Sequence, residues 1–577
     1  MKYLLQFLKD NKKMLFLIIF SSLLQAFGTL MVPYFAANII DKGIVEKNVP
    51  AIITIGLQML AAAGLTALVS LWGSYLCADL AALTGKHLRE ILFSKTQLLS
   101  VKEFNHFSTA SLITRTTSDV TIIQQTIIMI TQMILPTPLI AVAAVIMTAV
   151  ISPSLVFIPL TAMLLFFLVI GILFWKANPV SQTIQERVDT VNRLVRESIV
   201  GIRVIRAFDN SRYERGRSDN AFMEYADNVI KLNRIFAAFN PVVWTIMGLT
   251  MAAVVWFGGY QVLQQKILIG SISAVTEYTI LMLIYLMMSA MVLVMVPRMM
   301  ACMDRIKEIL DIIPEITDPK DKLTSSMTEN AEKIVFKNVS FSYKGAERPV
   351  LEGISFRCES GKTTAIIGGT GSGKSTIAGL MLRLYDIQSG QILMEGNDIR
   401  TMSQEELREH LSYVPQKAFL FSGTIADNLR MGHKEATAAE LKYAAEIAQA
   451  STFIESLEAG YDSPVAQAGT NFSGGQKQRL CIARALVKKS PVYIFDDSFS
   501  ALDFRTDAAL RAALKQEMKE AAVVIIAQRI STIMDADQII VLDDGRIAGM
   551  GRHEELLATC SVYKEIADSQ LTEKEME

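Results

Sequence analysis

The residues best suited to chemistry lie in the C-terminal half of the chain. An apolar run from Thr364 to Ile367 leads into Gly368, Gly371 and Gly373, and then into Lys374, Ser375 and Thr376. The spacing is G-x-x-x-x-G-K-[ST], a loop whose backbone N–H groups wrap phosphate oxygens at a helix N-terminus. Lys374 is placed to reach the outer phosphates and Ser375 to hold Mg2+. A second apolar run, Val492 to Phe495, ends in Asp496 and Asp497. A buried strand followed by a carboxylate is the arrangement that supports the Mg2+ of a bound nucleotide, here through Asp496. A strand that merely ends in a solvated acid pair is the bland alternative, and the phosphate loop upstream disfavours it.

Between these motifs stand Phe472, Ser473, Gly474, Gly475 and Gln476, directly before a helical run. They again offer bare N–H groups to an anion. These five residues resemble the signature of the ABC family, usually written L-S-G-G-Q. Around them, Gln416 resembles the family's Q-loop glutamine, Asp503 in Ser500-Ala-Leu-Asp its D-loop, and Tyr343 the aromatic that stacks on adenine. The resemblance extends over nearly the whole chain. It implies an α/β P-loop NTPase domain that binds ATP and Mg2+. It assigns nucleotide contacts to Tyr343, Gly368, Gly371, Gly373, Lys374, Ser375, Thr376, Gln416, Ser473, Gly475, Gln476 and Asp503. It assigns the metal to Ser375, Gln416 and Asp496. In this family each site pairs one P-loop with the opposite domain's signature, so a single copy of each motif implies a partner chain or a second identical copy.

The sequence departs from the family pattern at the catalytic positions. The family's usual glutamate after the metal-binding aspartate is Asp497, one methylene shorter. Its usual switch histidine is Gln528, which forms hydrogen bonds but takes no proton. A frequent glutamate before the signature is Gln467. A misplaced general base costs roughly 10²–10⁴ in rate. The chain therefore resembles the degenerate-site subunit of heterodimeric bacterial multidrug exporters, with weak or no hydrolysis at its own site. The resemblance implies a homologous half-transporter as partner, carrying the complete glutamate and histidine, and a small hydrophobic or amphipathic compound as cargo. A homodimer, a lipid or peptide exporter, and an ATP-gated channel are the alternatives.

The elements that must carry these motifs differ in kind. Short β-like runs begin near residue 333 and alternate with helices, which predicts an α/β domain over 333–577. A polar, proline-containing linker spans 311–332. Upstream, over 1–310, six stretches match the roughly 20 apolar residues a bilayer demands. They lie near 14–35, 53–77, 128–151, 155–175, 236–263 and 272–296. The expected architecture is an all-α six-helix membrane domain with long helical extensions into the cytoplasm.

Connections after the first, third and fifth stretches are short, whereas those after the second and fourth are long and rich in Arg and Lys. Basic loops favour the cytoplasmic face. This predicts a multi-pass protein of the cytoplasmic membrane, with the N-terminus, both long loops and the nucleotide domain inside the cell. Segments 105–113 and 208–213 are the expected contact points on the long loops. An amphipathic start, with Leu4, Leu5, Phe7 and Leu8 against Lys2, Lys9 and Lys12, predicts an interfacial helix. Pro136, Pro138, Pro159 and Pro241 mark either kinks or ordinary packing. Glu277 and the methionines of the last stretch, Met282, Met287, Met288, Met291 and Met295, are candidate cargo contacts as well as candidate filler.

Bulk properties agree with a divided chain. Of 577 residues, 51% are hydrophobic, and the excess sits before residue 300. Net charge is −1, which gives no argument for nucleic acid as a partner. The five cysteines, Cys77, Cys302, Cys358, Cys481 and Cys560, show no close pairing that would suggest zinc or a disulfide framework. Six apolar stretches also weigh against a soluble ATPase acting on DNA or ribosomes.

Overall fold

Among the described residues six helices are long and apolar enough to cross a membrane: Lys12–Val45, Val49–Leu98, Thr109–Ile151, Phe157–Val200, Ser211–Leu263 and Ile269–Leu310. The computed structural model describes residues 6–7, 9–319 and 332–575. Lys2, Leu4, Leu5 and Leu8 of the expected interfacial helix, and most of the expected linker, lie outside the described residues. The helices fall into a unit formed by Met1–Gln97 and Phe107–Ile312. A second unit combines Ile313–Glu577 with the short segment Leu98–His106.

In the first unit the helices outlast their apolar stretches. All four prolines singled out by the sequence lie in the first turn of a helical segment. Pro159 lies in Phe157–Val200, Pro241 in Phe239–Leu263, and Pro136 opens Pro136–Ile151, with Pro138 two residues on. First-turn N–H groups have no intrahelical acceptor, so proline costs little there. A π-helical turn, Ile130–Ile134, precedes Pro136 and absorbs the interruption.

A second π-helical turn, Arg115–Asp119, is held from the sixth helix. The Asp119 carboxylate, 2% exposed, accepts from Arg305 Nε at 2.8 Å and Nη2 at 2.6 Å. Arg115 reaches the Arg305 carbonyl and Glu308, each at 2.7 Å. The core of the unit gathers around Tyr278, Met282, Leu283, Phe166 and Val243, all close to fully buried.

The long connections are helical, as expected of extensions beyond the bilayer. Segment 105–113 is interrupted only at Ser108, φ 57°, between the short helices Val101–Phe107 and Thr109–Thr114. Segment 208–213 begins with a turn after the short helix Ile202–Ala207, and helix Ser211–Ala237 follows.

The second unit holds two main sheets. One is antiparallel, in the order Leu351–Glu359, Glu332–Phe341, Ser389–Met394 and Asn397–Asp398. Phe336 and Phe356 stack across its centre at 4.5 Å. The other has six strands in the order Arg546–Gly551, Gln538–Asp543, Thr363–Gly368, Ala522–Ile526, Val492–Asp496 and Leu411–Val414. All but the first of these are parallel. Strands Val492–Asp496 and Ala522–Ile526 are buried along their whole length, as expected for largely apolar runs covered on both faces. Ile494 and Val524 are both 0% exposed, and truncating an aliphatic side chain so placed costs about 2–5 kcal/mol. In the described residues all five cysteines are buried and unpaired.

Candidate functional site

Four neighbouring parallel strands deliver the site. Thr363–Gly368 runs into the phosphate loop, Ala522–Ile526 into Gln528, Val492–Asp496 into Asp497, and Leu411–Val414 into Gln416. Registers such as Ile526 with Ile366 and with Asp496 bring these carboxyl ends to one level. In open α/β sheets that edge is where ligands bind.

The phosphate loop closes on Gly373, which caps the helix Lys374–Met381 with φ 96°. A side chain there is excluded twice over: the left-handed backbone disfavours it, and a Cβ would lie 2.5 Å from Leu351 Cδ2. At Gly369 and Gly371 a Cβ would meet nothing within 4 Å, so the concave side of the loop is open. Ser372 Oγ is buried without a hydrogen-bond partner. An open cradle, an orphan hydroxyl and a helix N-terminus together fit the phosphates of a nucleotide. Lys374 Nζ donates to the carbonyls of Gly368 at 2.9 Å and Gly369 at 2.7 Å, which folds it over the loop. Burial pulls its pKa below the ordinary lysine value, opposed by Asp497 and Asp496.

Beside the loop, Ser375 Oγ donates to Asp496 Oδ1 at 3.1 Å. Asp496 is 4% exposed, and burial pushes its pKa up, while bonds from Ser375 and Tyr413 hold it down. Hydroxyl and carboxylate oxygens are the hard donors Mg2+ prefers, usually alongside phosphate and water. Among the described residues no group of three His, Cys, Asp or Glu could hold a metal ion unaided. The donor set thus fits an ion shared with a nucleotide.

Asp497 adopts a left-handed backbone, φ 48°, and its N–H donates to the Ile526 carbonyl at 2.8 Å. One carboxylate oxygen, Oδ2, accepts from Gln416 Nε2 at 3.2 Å and from Gln528 Nε2 at 3.0 Å. The two amides clasp the carboxylate between the Q-loop and the switch segment. Burial raises its pKa, and the Gln416 bond acts against that.

Tyr343 stands at the other end of the cradle, its hydroxyl 3.1 Å from Thr376 Oγ1. Phe341 and Tyr385 pack edge-on against its ring at 5.0 and 5.4 Å, and 40% of it stays exposed. The ring is fixed yet available to stack on a base.

Ser473, Gly475, Gln476 and Asp503 form a separate cluster; among the described residues no hydrogen bond joins them to the phosphate loop. Ser473 caps the helix Gly474–Val487 in a reciprocal box: its Oγ accepts from Gln476 N–H at 3.3 Å, and Gln476 Oε1 accepts from Ser473 N–H at 2.9 Å. Asp503 caps the helix Phe504–Glu517 by accepting from Thr506 N–H at 2.9 Å, and the Thr506 bonds hold its carboxyl below the usual range. A Cβ on Gly475 would lie 3.2 Å from the Ala501 carbonyl, so the signature packs tightly on the segment before Asp503.

Two residues of the site escaped the sequence reading. Tyr413 reaches Asp496 from the neighbouring strand, and Ser498 Oγ ties the segment after Asp497 to the Val414 carbonyl at 3.1 Å. In the first unit, an apolar cleft of about 300 Å³ is lined by Leu173, Phe174, Phe239, Met291 and Val294, with Asn240 its polar member. Of the methionines singled out by the sequence, only Met291 lines this cleft; Met282 is buried and Glu277 is exposed elsewhere on the helix.

Comparison with known proteins places both halves of the chain in one family. A family model described as the ABC transporter transmembrane region matches residues 15–287, and one described as ABC transporter matches residues 351–500. An uncharacterized ABC transporter ATP-binding protein of Mycobacterium tuberculosis (strain CDC 1551 / Oshkosh) is 34% identical over 574 residues, covering 98% of this chain and 97% of that protein. The ATP-dependent lipid A-core flippase of Haemophilus ducreyi (strain 35000HP / ATCC 700724) is 32% identical over 490 residues, 84% of this chain and 83% of that one. A bacterial Atm1-family ABC exporter solved with ATP bound superposes with a TM-score of 0.80 at 28% identity, covering 97% of this chain and 98% of that one.

Proposed function

The chain belongs to the ABC transporter family as an exporter half-transporter, a membrane domain fused to an ABC ATPase domain, and on that premise we propose that it is the slow-site half of a heterodimeric exporter. Its cargo, on this reading, is a small hydrophobic or amphipathic, drug-like compound. The observation that carries the proposal is Asp497 Oδ2, which accepts from both Gln416 and Gln528. A carboxylate that is one methylene short and clasped by two amides is a poor base for an attacking water. Gln528 supplies no titratable group in its place.

In this scheme Tyr343 stacks on the base, Lys374 and the loop N–H groups grip the phosphates, and Ser375, Asp496 and Gln416 hold Mg2+. When bound, Mg2+ neutralises charge on the phosphates. Ser473, Gly475, Gln476 and Asp503, which form no hydrogen bond to this cradle among the described residues, complete the partner's hydrolytic site. Closure of the two ATPase domains then acts on segments 105–113 and 208–213 of the long connections, and the spans reopen on the far side. On this reading the N-terminus and the ATPase domain lie in the cytoplasm, an orientation that the Arg- and Lys-rich long loops support.

The test uses the chain with its partner half in sealed vesicles. Asp497→Asn should change ATP turnover by less than about threefold, whereas replacing the partner's catalytic glutamate by glutamine should abolish it. Equal losses from both changes would refute the division of labour. Uphill efflux of a lipophilic dye separates a pump from a channel. A lipid cargo is the second reading; it is supported by the relatives named lipid A-core flippases and by the apolar cleft. Flipping of a labelled lipid without dye efflux would favour it.

A further inference from the structure

We propose that Gln570, near the end of the C-terminal helix Ser561–Glu575, is a positioning residue of the nucleotide site: its single amide brackets the switch segment and fixes where Gln528 meets Asp497. Gln570 Oε1 accepts from the Ile530 N–H at 2.8 Å. Gln570 Nε2 donates to the Gln528 carbonyl at 2.7 Å. The two bonded groups flank Arg529, so one side chain acts on the segment much as a neighbouring strand would.

The need for such a brace follows from backbone accounting. Strand Ala522–Ile526 ends just before the segment, and the last link to the sheet is Ala527 N–H to the Ile366 carbonyl at 3.1 Å. The helix that follows, Ile530–Ile533, begins without a side-chain cap from Arg529. The Ile530 N–H is therefore an orphan of a helix start, and the Gln528 carbonyl belongs to neither strand nor helix. Gln570 satisfies both.

Gln570 is itself anchored. Tyr563 and Ala567, seven and three residues earlier on the same helix, are 0% and 2% exposed, and they fix the face that presents Gln570. The Tyr563 hydroxyl also lies 2.7 Å from His553 Nδ1. A second hold comes from Arg511 on the helix Phe504–Glu517, whose Nη1 donates to the Ser531 carbonyl at 2.9 Å. That helix starts at Asp503. The switch segment is thus strung between the C-terminal helix and the helix that carries Asp503.

The inference rests on the reading of Asp497 and Gln528 as the base and switch positions, but its first test does not. Hydrogen exchange of the full chain in lipid nanodiscs is followed over residues 527–533. Gln570→Leu removes both bonds at similar size and should speed exchange there by roughly tenfold. Exchange in helix Phe504–Glu517 and the unfolding midpoint should stay as they were. Gln570→Glu keeps the acceptor for Ile530 and should restore part of the protection. Unchanged exchange over 527–533 in Gln570→Leu overturns the proposal. So does a loss of protection throughout the domain with a falling midpoint, which marks a mere tether.

A second test uses the Asp497→Glu/Gln528→His chain paired with a partner half whose catalytic glutamate is replaced by glutamine, so that only the restored site turns over. There Gln570→Leu should lower kcat by roughly tenfold and move the KM for ATP by less than about twofold. An unchanged kcat, or equal changes in kcat and KM, counts against positioning. If the double variant hydrolyses ATP no faster than the natural chain, the slow-site reading fails by itself, and the exchange result still decides the role of Gln570.

Discussion

Tyr413 donates its phenol to Asp496 Oδ2 at 3.3 Å, reaching across from the adjacent strand. The bond favours the charged carboxylate against the burial that raises its pKa. A buried charge of this kind costs stability at neutral pH, and the cost is relieved as pH falls through the raised value. The charged form is the one that binds Mg2+. Mg2+-dependent ATP affinity should therefore fall on the acid side with a midpoint above about 3.9, the ordinary aspartate value. Tyr413→Phe removes one of the bonds holding the pKa down, so the midpoint should move further up. Equilibrium nucleotide binding as a function of pH checks this, and a midpoint that ignores Tyr413 would contradict it.

Tyr343 offers a test of base stacking. Tyr343→Phe keeps the ring and loses only the contact with Thr376, so ATP affinity should stay within about threefold. Tyr343→Ala removes the ring and should weaken binding by roughly 5- to 100-fold. The same losses for a pyrimidine and a purine nucleotide are expected, because stacking tolerates any base.

The buried carboxylate in the membrane unit gives a stability prediction. Asp119→Ala leaves Arg305 without its two bonds. Removing one partner of a fully buried pair costs about 3–5 kcal/mol, but the Arg305 side chain is 47% exposed, so about 2–3 kcal/mol is expected. Adding Arg305→Ala should cost little more, since the interaction is already lost. Thermal unfolding of the four proteins of this cycle in detergent measures the coupling. Additive losses would show that the two side chains act independently.

Much of this was legible in the chain, for identifiable reasons. Gly373, Lys374, Ser375, Asp496 and Asp497 are local: strand, loop and helix follow one another, and the spacing itself encodes the geometry. The membrane helices announce themselves through uninterrupted apolar runs. Their extensions were expected, but not where each one ends, because beyond the bilayer helices such as Phe157–Val200 continue on charged residues that give no hydropathy signal. Short helix Val101–Phe107 is hidden for the same reason. Tyr413, Arg511 and Gln570 were invisible because their partners lie 83, 20 and 40 to 42 positions away. An aromatic on a strand or a glutamine near a C-terminus carries no local mark of such a contact. Asp497 and Gln528 were read as two separate departures, and only folding shows them as one hydrogen-bonded pair.

The segment Leu98–His106 groups with the ATPase unit although both of its flanks belong to the membrane unit. Within that grouping Lys102 pairs with Glu315, and Glu103 Oε1 accepts from the Glu315 N–H at 2.8 Å. A chimera that exchanged ATPase domains at the polar stretch after residue 310 would carry Glu315 to a new host and leave Lys102 and Glu103 behind. Grafting between related exporters should therefore move the nine-residue piece and the downstream domain together. The exchangeable cassette is discontinuous in sequence.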